Sequence, residues 1–325
     1  MRVLDWLKHL DLPAVVHDYA GLTNSRPATL LRQPLRVVQA EARVRRLTRA
    51  VSQSTVIVSR QASPFSRGRL EAGLLTSAER GVYDFDDALM VSPEGRVTNK
   101  AKAWLAAVRA ADVVIAGNDF LAARAEEAGA RGVVMIPSCV EPSDYVHKDE
   151  FQVAGPPTAV WLGSPSTEAY LDLIAAPLLR LHQTTGLRLR LISSGQTSRG
   201  GLDVMIDRVE WRLGLPEETL WSNDLAIMPL PDNRWAQGKC AYKVLQYAAA
   251  GLPVVASPVG ANRLALERLG GLPAETADDW VDAIATILDA APAARRDLGA
   301  SALQGVERHY SFSAWAATWS RAVHG

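Results

Sequence analysis

The sequence has 325 residues, of which 48% are hydrophobic and 22% charged, and its 35 basic residues balance its 35 acidic residues. This composition excludes an intrinsically disordered chain, and the absence of net charge gives no argument for nucleic-acid binding. A chain of this length exceeds one typical hydrophobic core, so we expect two domains.

The distribution of apolar residues and cysteines predicts a cytoplasmic protein. No apolar run approaches the roughly 20 residues that span a bilayer, and the first residues lack the apolar core of a signal peptide. The two cysteines, Cys139 and Cys240, form neither a metal-ligand pattern nor a disulfide framework. Both features fit a reducing compartment.

The first half of the chain predicts a parallel sheet. Apolar residues between Val3 and Leu10 recur at helical spacing, so a helix comes first. Apolar runs with polar or glycine boundaries then predict strands at residues 14–19, 55–60, 81–87, 113–117 and 133–138. Helical patterns at 101–110 and 120–128 separate the later strands, and this βαβ order is typical of Rossmann-like folds.

Residues 26–49 contain seven arginines and one acid, Glu41. An apolar stripe at helical spacing consists of Leu31, Leu35, Val38 and Ala42, and the arginines beside it are Arg32, Arg36, Arg43 and Arg46. A cationic helix with an apolar stripe can lie on an anionic membrane surface, and an ordinary solvated helix fits the pattern equally well.

Carboxylates follow the strand predicted at 81–87. Asp84, Asp86 and Asp87 lie at its carboxyl end, where ligands of such sheets bind. They could hold a divalent metal, act as a base or accept sugar hydroxyls, or they could cap the next segment and be solvated. His17, near the end of the first predicted strand, is a further candidate or an ordinary loop histidine.

Polar and proline-bearing residues at 141–157 interrupt the pattern and predict a linker. Strands at 159–163, 187–193, 224–230 and 253–257 then predict a second parallel sheet. A helix at 278–288 follows, and a last helix beyond Tyr310 carries an apolar stripe. The expected fold is therefore α/β with two Rossmann-like domains.

Two stretches of the second domain are typical of phosphate sites. After the strand at 159–163, Ser164 is a plausible N-cap and Pro165 a first helical residue, while Ser166 and Thr167 add hydroxyls near the free N–H groups. Many helices simply begin in this way. Ligand binding would require this helix start to lie at the same sheet edge as the second stretch.

The second stretch is a predicted helix that begins near Lys239. Helical spacing places Lys239, Lys243 and Gln246 on one stripe, opposite an apolar face. Lysines in the first turns oppose the helix dipole, so their position is better explained if they share an anion with the free N–H groups. A solvated lysine face is the alternative. No glycine pattern matches a dinucleotide or P-loop fingerprint.

Several motifs resemble family-4 glycosyltransferases of the GT-B fold. The motifs are GKCAYKVLQYAAAGLPVVASPVGAN (238–262), the preceding DLAIMPLPDNRW, YDFDDA (83–88), residues 111–142 and AVWLGSPST (159–167). The resemblance implies two Rossmann-like domains across a cleft, at 1–145 and 157–308, with a C-terminal helix at 309–325 crossing back. It further implies retaining transfer from a nucleotide-diphosphate sugar, without a metal or other cofactor, in polysaccharide or cell-envelope biosynthesis.

The resemblance also implies roles for residues. Most members carry two glutamates where this sequence has Gly238 and Gln246, so the diphosphate charge would fall to Lys239 and Lys243, as in a subgroup with a GKxxxK motif. The donor-binding set would be Gly163, Ser164, Ser166, Thr167, Pro229, Gly238 and Gln246. Asp86 and Asp87 would orient a glycan, lipid or small-molecule acceptor, with His17 and Asp84 on the acceptor side.

Related proteins begin with a strand that lies mid-sheet and precedes a helix similar to RVLDWLKHL. We therefore expect a truncated N-terminus and, for the chain as given, poor solubility or activity. A non-catalytic sugar-nucleotide-binding or scaffold protein is the main alternative, because the acidic pair is missing. A sugar-nucleotide epimerase is a weaker one, because the histidine and acidic constellation typical of such enzymes is not evident.

Overall fold

A computed structural model describes residues 2–19, 32–91 and 98–325. The chain forms two compact units, Met1–Pro137 with Trp315–Gly325, and Ser138–Ala314. The division falls just ahead of the linker predicted at 141–157. The last residues of the chain belong to the first unit.

The first unit is built on a parallel sheet in which neighbouring strands are joined through helices. Its helices are α1 (Arg2–His9), α2 (Pro34–Leu47), α3 (Arg69–Ser77), α4 (Asn99–Ala110) and α5 (Asp119–Glu127). Its strands are β1 (Thr55–Ser59), β2 (Arg80–Phe85), β3 (Val113–Ala116) and β4 (Val133–Met135), in the order β1-β2-β3-β4. The central strands β2 and β3 are almost wholly buried, which explains the continuous apolar sequence of β3, whereas β2 also carries the buried Asp84.

The strand predicted at 14–19 is wrong. Residues 14–18 have no regular secondary structure, and Val15 is 83% exposed. A β-branched run favours extended backbone, but a strand also requires a neighbour that shares its hydrogen bonds. Among the described residues, β1 is the end strand of the sheet and pairs with β2 alone.

The second unit is a six-stranded parallel sheet with helices on both faces. Its helices are α6 (Ala175–Thr185), α7 (Leu215–Thr219), α8 (Arg234–Gln237), α9 (Tyr242–Ala249), α10 (Ala261–Leu269), α11 (Ala277–Asp289) and α12 (Pro292–His309). Its strands are β5 (Thr158–Leu162), β6 (Arg188–Ile192), β7 (Ile206–Val209), β8 (Leu225–Met228), β9 (Val254–Ala256) and β10 (Leu272–Pro273), in the order β10-β9-β8-β5-β6-β7. This strand order is that of a Rossmann fold.

Alternation along β5 divides the core of the second unit. Val160 and Leu162 pack into one apolar cluster with residues of α9 and α10, whereas Ala159 and Trp161 pack into the cluster on the other face with α6 and α11. The short strands β7 and β10 were not predicted, because β7 carries charged residues and β10 has only two residues.

Helix α13 (Phe312–His324) ends the chain, and its residues from Trp315 onward belong to the first unit. Trp319 stacks on Trp6 with 5.4 Å between the ring centroids, and the Arg80 guanidinium donates to the backbone carbonyl of Ala322 at 3.0 Å. These contacts explain why the helix carries an apolar stripe. No helix among the described residues is long and apolar enough to cross a membrane.

Candidate functional site

The strand order of the second unit reverses between β5 and β8, and open α/β sheets bind ligands at the carboxyl ends of strands at such a point. Gly163 follows β5 and the buried Pro229 follows β8. Two residues of the predicted donor set therefore lie at the switch point because of the topology alone.

The hydroxyl groups predicted after β5 form a small cluster. The Ser164 hydroxyl lies 3.0 Å from that of Ser166 and 3.2 Å from that of Thr167, and the Ser164 N–H donates to the Thr167 hydroxyl. The helix that begins here is a 3₁₀ helix, Pro165–Ile174, which gives way to α6. Pro177 lies in the first turn of α6, where a missing N–H is tolerated.

The predicted start of the lysine helix is wrong. Helix α9 begins at Tyr242, because Ala241 adopts a left-handed backbone conformation with φ of 55°. Lys239 therefore lies in the loop before the helix, and Lys243 lies in its first turn. A left-handed alanine is strained by about 1–2 kcal/mol, and strain of this kind often occurs at functional sites.

Gln246 does not share a solvent-facing stripe with the lysines. It is buried and hydrogen-bonded to the hydroxyl group of Tyr145, whose pKa is raised mainly by burial. The expected apolar face is present, since Val244 and Leu245 are fully buried. Helix α9 is thus packed on more sides than the spacing predicted, because its residues belong to a large core cluster.

Each lysine of the site lies over the face of a tryptophan ring. The Nζ atom of Lys243 is 5.4 Å from the ring centroid of Trp161, and the Nζ atom of Lys239 is 5.2 Å from that of Trp235. Both distances fall within the range of a cation–π interaction. Trp161 belongs to β5 and Trp235 to α8, so the lysines are held by different elements.

Gly163 leaves room for the ring of Trp161. A Cβ atom at position 163 would lie 2.0 Å from Cη2 of Trp161. Lys243 therefore lies against a ring that in turn lies against the loop after β5. The start of α9 and the loop after β5 therefore lie close together, as we expect if both contact the same anion.

A second close approach fixes the loop that carries Lys239. Gly260 has a φ of 56°, and a Cβ atom there would lie 2.7 Å from the backbone oxygen of Gln237. Gln237 is the last residue of α8 and precedes Gly238, which is buried and lacks a side chain that could contact a ligand. The absence of side-chain atoms at 260 thus permits the observed path of the loop.

In the first unit, the structure places Asp84 in an ion pair and not at an open surface. It is 1% exposed and accepts from the Arg2 guanidinium at 2.9 Å. Burial raises its pKa more than Arg2 lowers it. Arg2 also donates to the backbone oxygens of Ile136 and Pro137, so the pair ties α1 to the sheet edge. Asp84 is thus buried and paired with Arg2, and its acceptor-side role stays a prediction.

Asp86 and Asp87 are bridged by Arg60. Its guanidinium lies 2.7 Å from Asp86 and 3.2 Å from Asp87. Burial acts to raise the pKa of Asp86, but the hydrogen bond and charge of Arg60 outweigh it and lower that pKa below its ordinary value. Arg60 itself has a φ of 59°, and Tyr83 donates its hydroxyl to the Arg60 carbonyl. His17 is exposed.

Several residues of these clusters were missed by sequence reasoning. Trp161 was assigned only to a strand, and Trp235 and Arg60 were given no role. Trp161 and Arg60 contact partners that are distant in sequence, so no periodicity connects them. Trp235 lies four residues before Lys239, a helical spacing that could have linked this pair. Among the described residues, no group of three or more His, Cys, Asp or Glu side chains could hold a metal ion.

Comparisons with known proteins agree with this architecture. The family model of group 1 glycosyl transferases matches residues 156–290. Sucrose-phosphate synthase from Thermosynechococcus elongatus superposes with a TM-score of 0.66 at 15% identity, over 94% of this chain and 81% of that one. HepE from Anabaena, solved with UDP and glucose, gives a TM-score of 0.68 at 15% identity, over 98% and 88%.

A UDP-forming trehalose-phosphate synthase from Burkholderia xenovorans gives a TM-score of 0.63 at 13% identity, over 93% of this chain and 80% of that one. No curated protein matches the sequence significantly. The solved structures establish the fold, and the family model concerns the unit that contains the two lysines. The chain therefore has the two Rossmann-like domains of the GT-B fold, and its second domain is similar to those of group 1 glycosyl transferases.

Proposed function

We propose that this protein is a glycosyltransferase that moves a sugar from a nucleotide-diphosphate donor to an acceptor. The observation that carries the proposal is the convergence of Lys243, Trp161 and Gly163 at the switch point of the second sheet. The match of the surrounding residues to group 1 glycosyl transferases supports it.

The chemistry follows from the charges. As the bond between the sugar and the diphosphate breaks, negative charge grows on the leaving group. Ammonium groups and helix N–H groups that are already in position stabilise that charge more than they stabilise the bound donor. Lys239, Lys243 and the start of α9 supply such groups. Loss of one comparable contact lowers turnover about 100- to 1,000-fold.

The finer features of the reaction rest on the resemblance to family-4 enzymes. We propose retention at the transferred sugar, no requirement for a metal or other cofactor, and a cytoplasmic role in polysaccharide or cell-envelope biosynthesis. Asp86 and Asp87 would orient the acceptor hydroxyl, because Arg60 fixes them at the carboxyl end of β2. The low exposure of both carboxylates restricts their movement, which supports this role.

One observation favours the non-catalytic alternative. Gly238 replaces the carboxylate that orients the sugar in most family-4 enzymes, and no side chain at this position can take its part. A sugar-nucleotide-binding protein would keep the lysine site and lack turnover. Both functions therefore include nucleotide binding, and they differ only in whether the sugar is then transferred.

The acceptor side is proposed to contact an anionic membrane surface through α2. Leu35 and Val38 of the predicted stripe are 78% and 65% exposed, and α2 packs on its own domain through Ala40 and Val44 instead. The predicted arginines Arg32, Arg36, Arg43 and Arg46 are all exposed. Leu31 lies outside the described residues.

Charge complementarity supports this contact. Glu41, the single acid in the arginine-rich segment, accepts hydrogen bonds from Tyr19 and Ser63, so it is directed inward. The outer face of α2 is left cationic and partly apolar. Such faces bind anionic lipid surfaces by combined burial and charge.

A thermal-shift screen against UDP-, GDP-, ADP- and dTDP-glucose tests donor binding, since a ligand of the folded state raises the melting temperature. The donor with the largest shift is then tested for transfer and for hydrolysis. A shift followed by sugar release supports the transferase, whereas a shift without turnover supports the binding protein. No shift with any donor would reject both.

Sedimentation with vesicles tests the membrane contact. Vesicles with anionic phosphatidylglycerol should bind the protein at low salt, and Leu35→Ser with Val38→Ser should reduce binding. Arg36→Glu reverses a charge on α2 and should also reduce binding. Its control is Arg69→Glu on α3, which makes the same charge change outside α2. Equal sedimentation of wild type and the α2 variants would reject the proposed surface.

A further inference from the structure

The two lysines of the proposed donor site share one feature that their sequence spacing does not explain. Each ammonium group lies over an indole ring, although one ring comes from a buried strand and the other from a short helix. The same kind of contact thus occurs at both members of the GKxxxK motif.

The burial of the Trp161 indole has an energetic cost. It is fully buried, and its indole N–H has no hydrogen-bond partner among the described residues. An unsatisfied buried donor destabilises the fold. A phenylalanine or leucine would fill a strand position without that cost, so packing alone does not account for the indole.

The electrostatics of an aromatic face suit a phosphate-binding lysine. The ring quadrupole attracts the ammonium group and limits its side-chain rotamers. Because the ring is neutral, it positions the ammonium group without changing the net charge of the site.

We propose that Trp161 and Trp235 are positioning residues that hold the ammonium groups of Lys243 and Lys239 for a nucleoside diphosphate. The inference rests on the proposed function and adds two residues to its site. Gly163 contributes to the same arrangement, since any side chain at that position would displace the Trp161 ring.

The two rings differ in how firmly they are fixed. Trp161 is enclosed by the core cluster between the sheet and helices α6 and α11, whereas Trp235 is only partly buried. The loss of Trp161 should therefore have the larger effect. It should also act on turnover more than on donor affinity, because the charge that Lys243 meets grows as the bond breaks.

A double-mutant cycle tests the role of Trp161. With the best donor of the glucose-nucleotide screen, Trp161→Leu should lower kcat about tenfold, the rate effect of a cation–π contact of ordinary strength. Trp161→Phe keeps a ring under Lys243 and should stay within about threefold of wild type. In a Lys243→Ala background, Trp161→Leu should have no further effect.

The control is a second lysine–aromatic pair in the same unit. Nζ of Lys148 lies 5.4 Å from the ring centroid of Phe151. Phe151→Leu removes a buried ring and should lower stability, but its effect on kcat should be small and equal with or without Lys243. The equivalent cycle of Trp235→Leu with Lys239→Ala tests the second pair.

Two results would overturn the inference. Equal losses from Trp161→Leu with and without Lys243 would mean a merely structural role, and loss of activity in Trp161→Phe equal to that in Trp161→Leu would mean that the ring face is irrelevant. If wild type neither binds nor turns over any donor, the proposed function fails, and the inference fails with it. If wild type turns over a donor but the effects of Trp161→Leu and Lys243→Ala on kcat are additive, only the inference is rejected and the proposed function stands.

A readout without substrate checks the contact itself. The chain has six lysines, so ¹³C-methylation of their amines gives an NMR spectrum that single lysine variants can assign. The Lys243 methyl signal should be shifted upfield by the indole and should return to the position of a solvated lysine in Trp161→Leu. A Lys243 signal already at that position in wild type would contradict the geometry.

Discussion

The substitution Gly163→Ala isolates the packing of the Trp161 ring. Position 163 is not among the glycines with positive φ, so its backbone suits alanine. The added Cβ would lie 2.0, 2.5 and 2.6 Å from three atoms of the Trp161 ring, all inside van der Waals contact. The ring is buried and cannot swing into solvent. We therefore expect a loss of about 1–3 kcal/mol in the free energy of unfolding, the usual range for overpacking.

The assay is urea denaturation of four variants. Gly201→Ala is the matched control, because its Cβ would meet Leu179 at an ordinary 3.4 Å. Gly163→Ala should cost less in a Trp161→Phe background, since the phenyl ring lacks the atoms that clash. The reasoning is refuted if Gly163→Ala is as mild as Gly201→Ala, or if its cost is the same with phenylalanine at 161.

Three further predictions follow from the structure. Gly260→Ala adds both a strained φ and a clash with the Gln237 backbone. It should therefore lower the free energy of unfolding, measured by urea denaturation, by about 3 kcal/mol. A loss below about 0.5 kcal/mol would contradict the close approach. Arg2→Ala leaves the Asp84 carboxylate buried and unpaired, so it should lower unfolding free energy by about 3–5 kcal/mol, and unchanged stability at pH 7 would show that the pair is not formed. The pKa of Asp86 is lowered in the folded state by Arg60, against the effect of burial. The pair therefore stabilises the fold above the unfolded pKa of about 4, and this stabilisation is lost as the pH falls through the folded pKa. Arg60→Ala should abolish that loss of stability in the acid range, and identical curves of stability against pH for wild type and variant would contradict this.

Much of the sheet could be predicted, because buried parallel strands must be continuous apolar runs. The runs that became β3, β5, β8 and β9 are examples, whereas β6 alternates arginine with leucine. The same criterion failed at 14–19, since an apolar run does not show whether a neighbouring strand is present. It also missed β7, in which two adjacent charged residues lie between apolar ends.

The site was harder to predict than the fold. The lysine stripe assumed that the helix began at Lys239, and a left-handed Ala241 moved that start to Tyr242. Spacing along a helix cannot show a backbone reversal at an alanine. The contact between Trp161 and Lys243 joins residues that only the tertiary fold brings together, so spacing along the chain could not predict it. Trp235 and Lys239 are four residues apart, and that spacing was overlooked.

The central claim is that the second domain binds a nucleoside diphosphate through Lys239 and Lys243. Calorimetric titration of UDP, GDP, ADP and dTDP into wild type, Lys239→Ala, Lys243→Ala and Lys148→Ala measures this directly. We predict that wild type and Lys148→Ala bind one of these nucleotides with equal affinity, and that each of the other variants binds it at least about tenfold more weakly, as expected for the loss of one charge-assisted contact. Binding of equal strength in all four proteins, or none in wild type, would contradict the account.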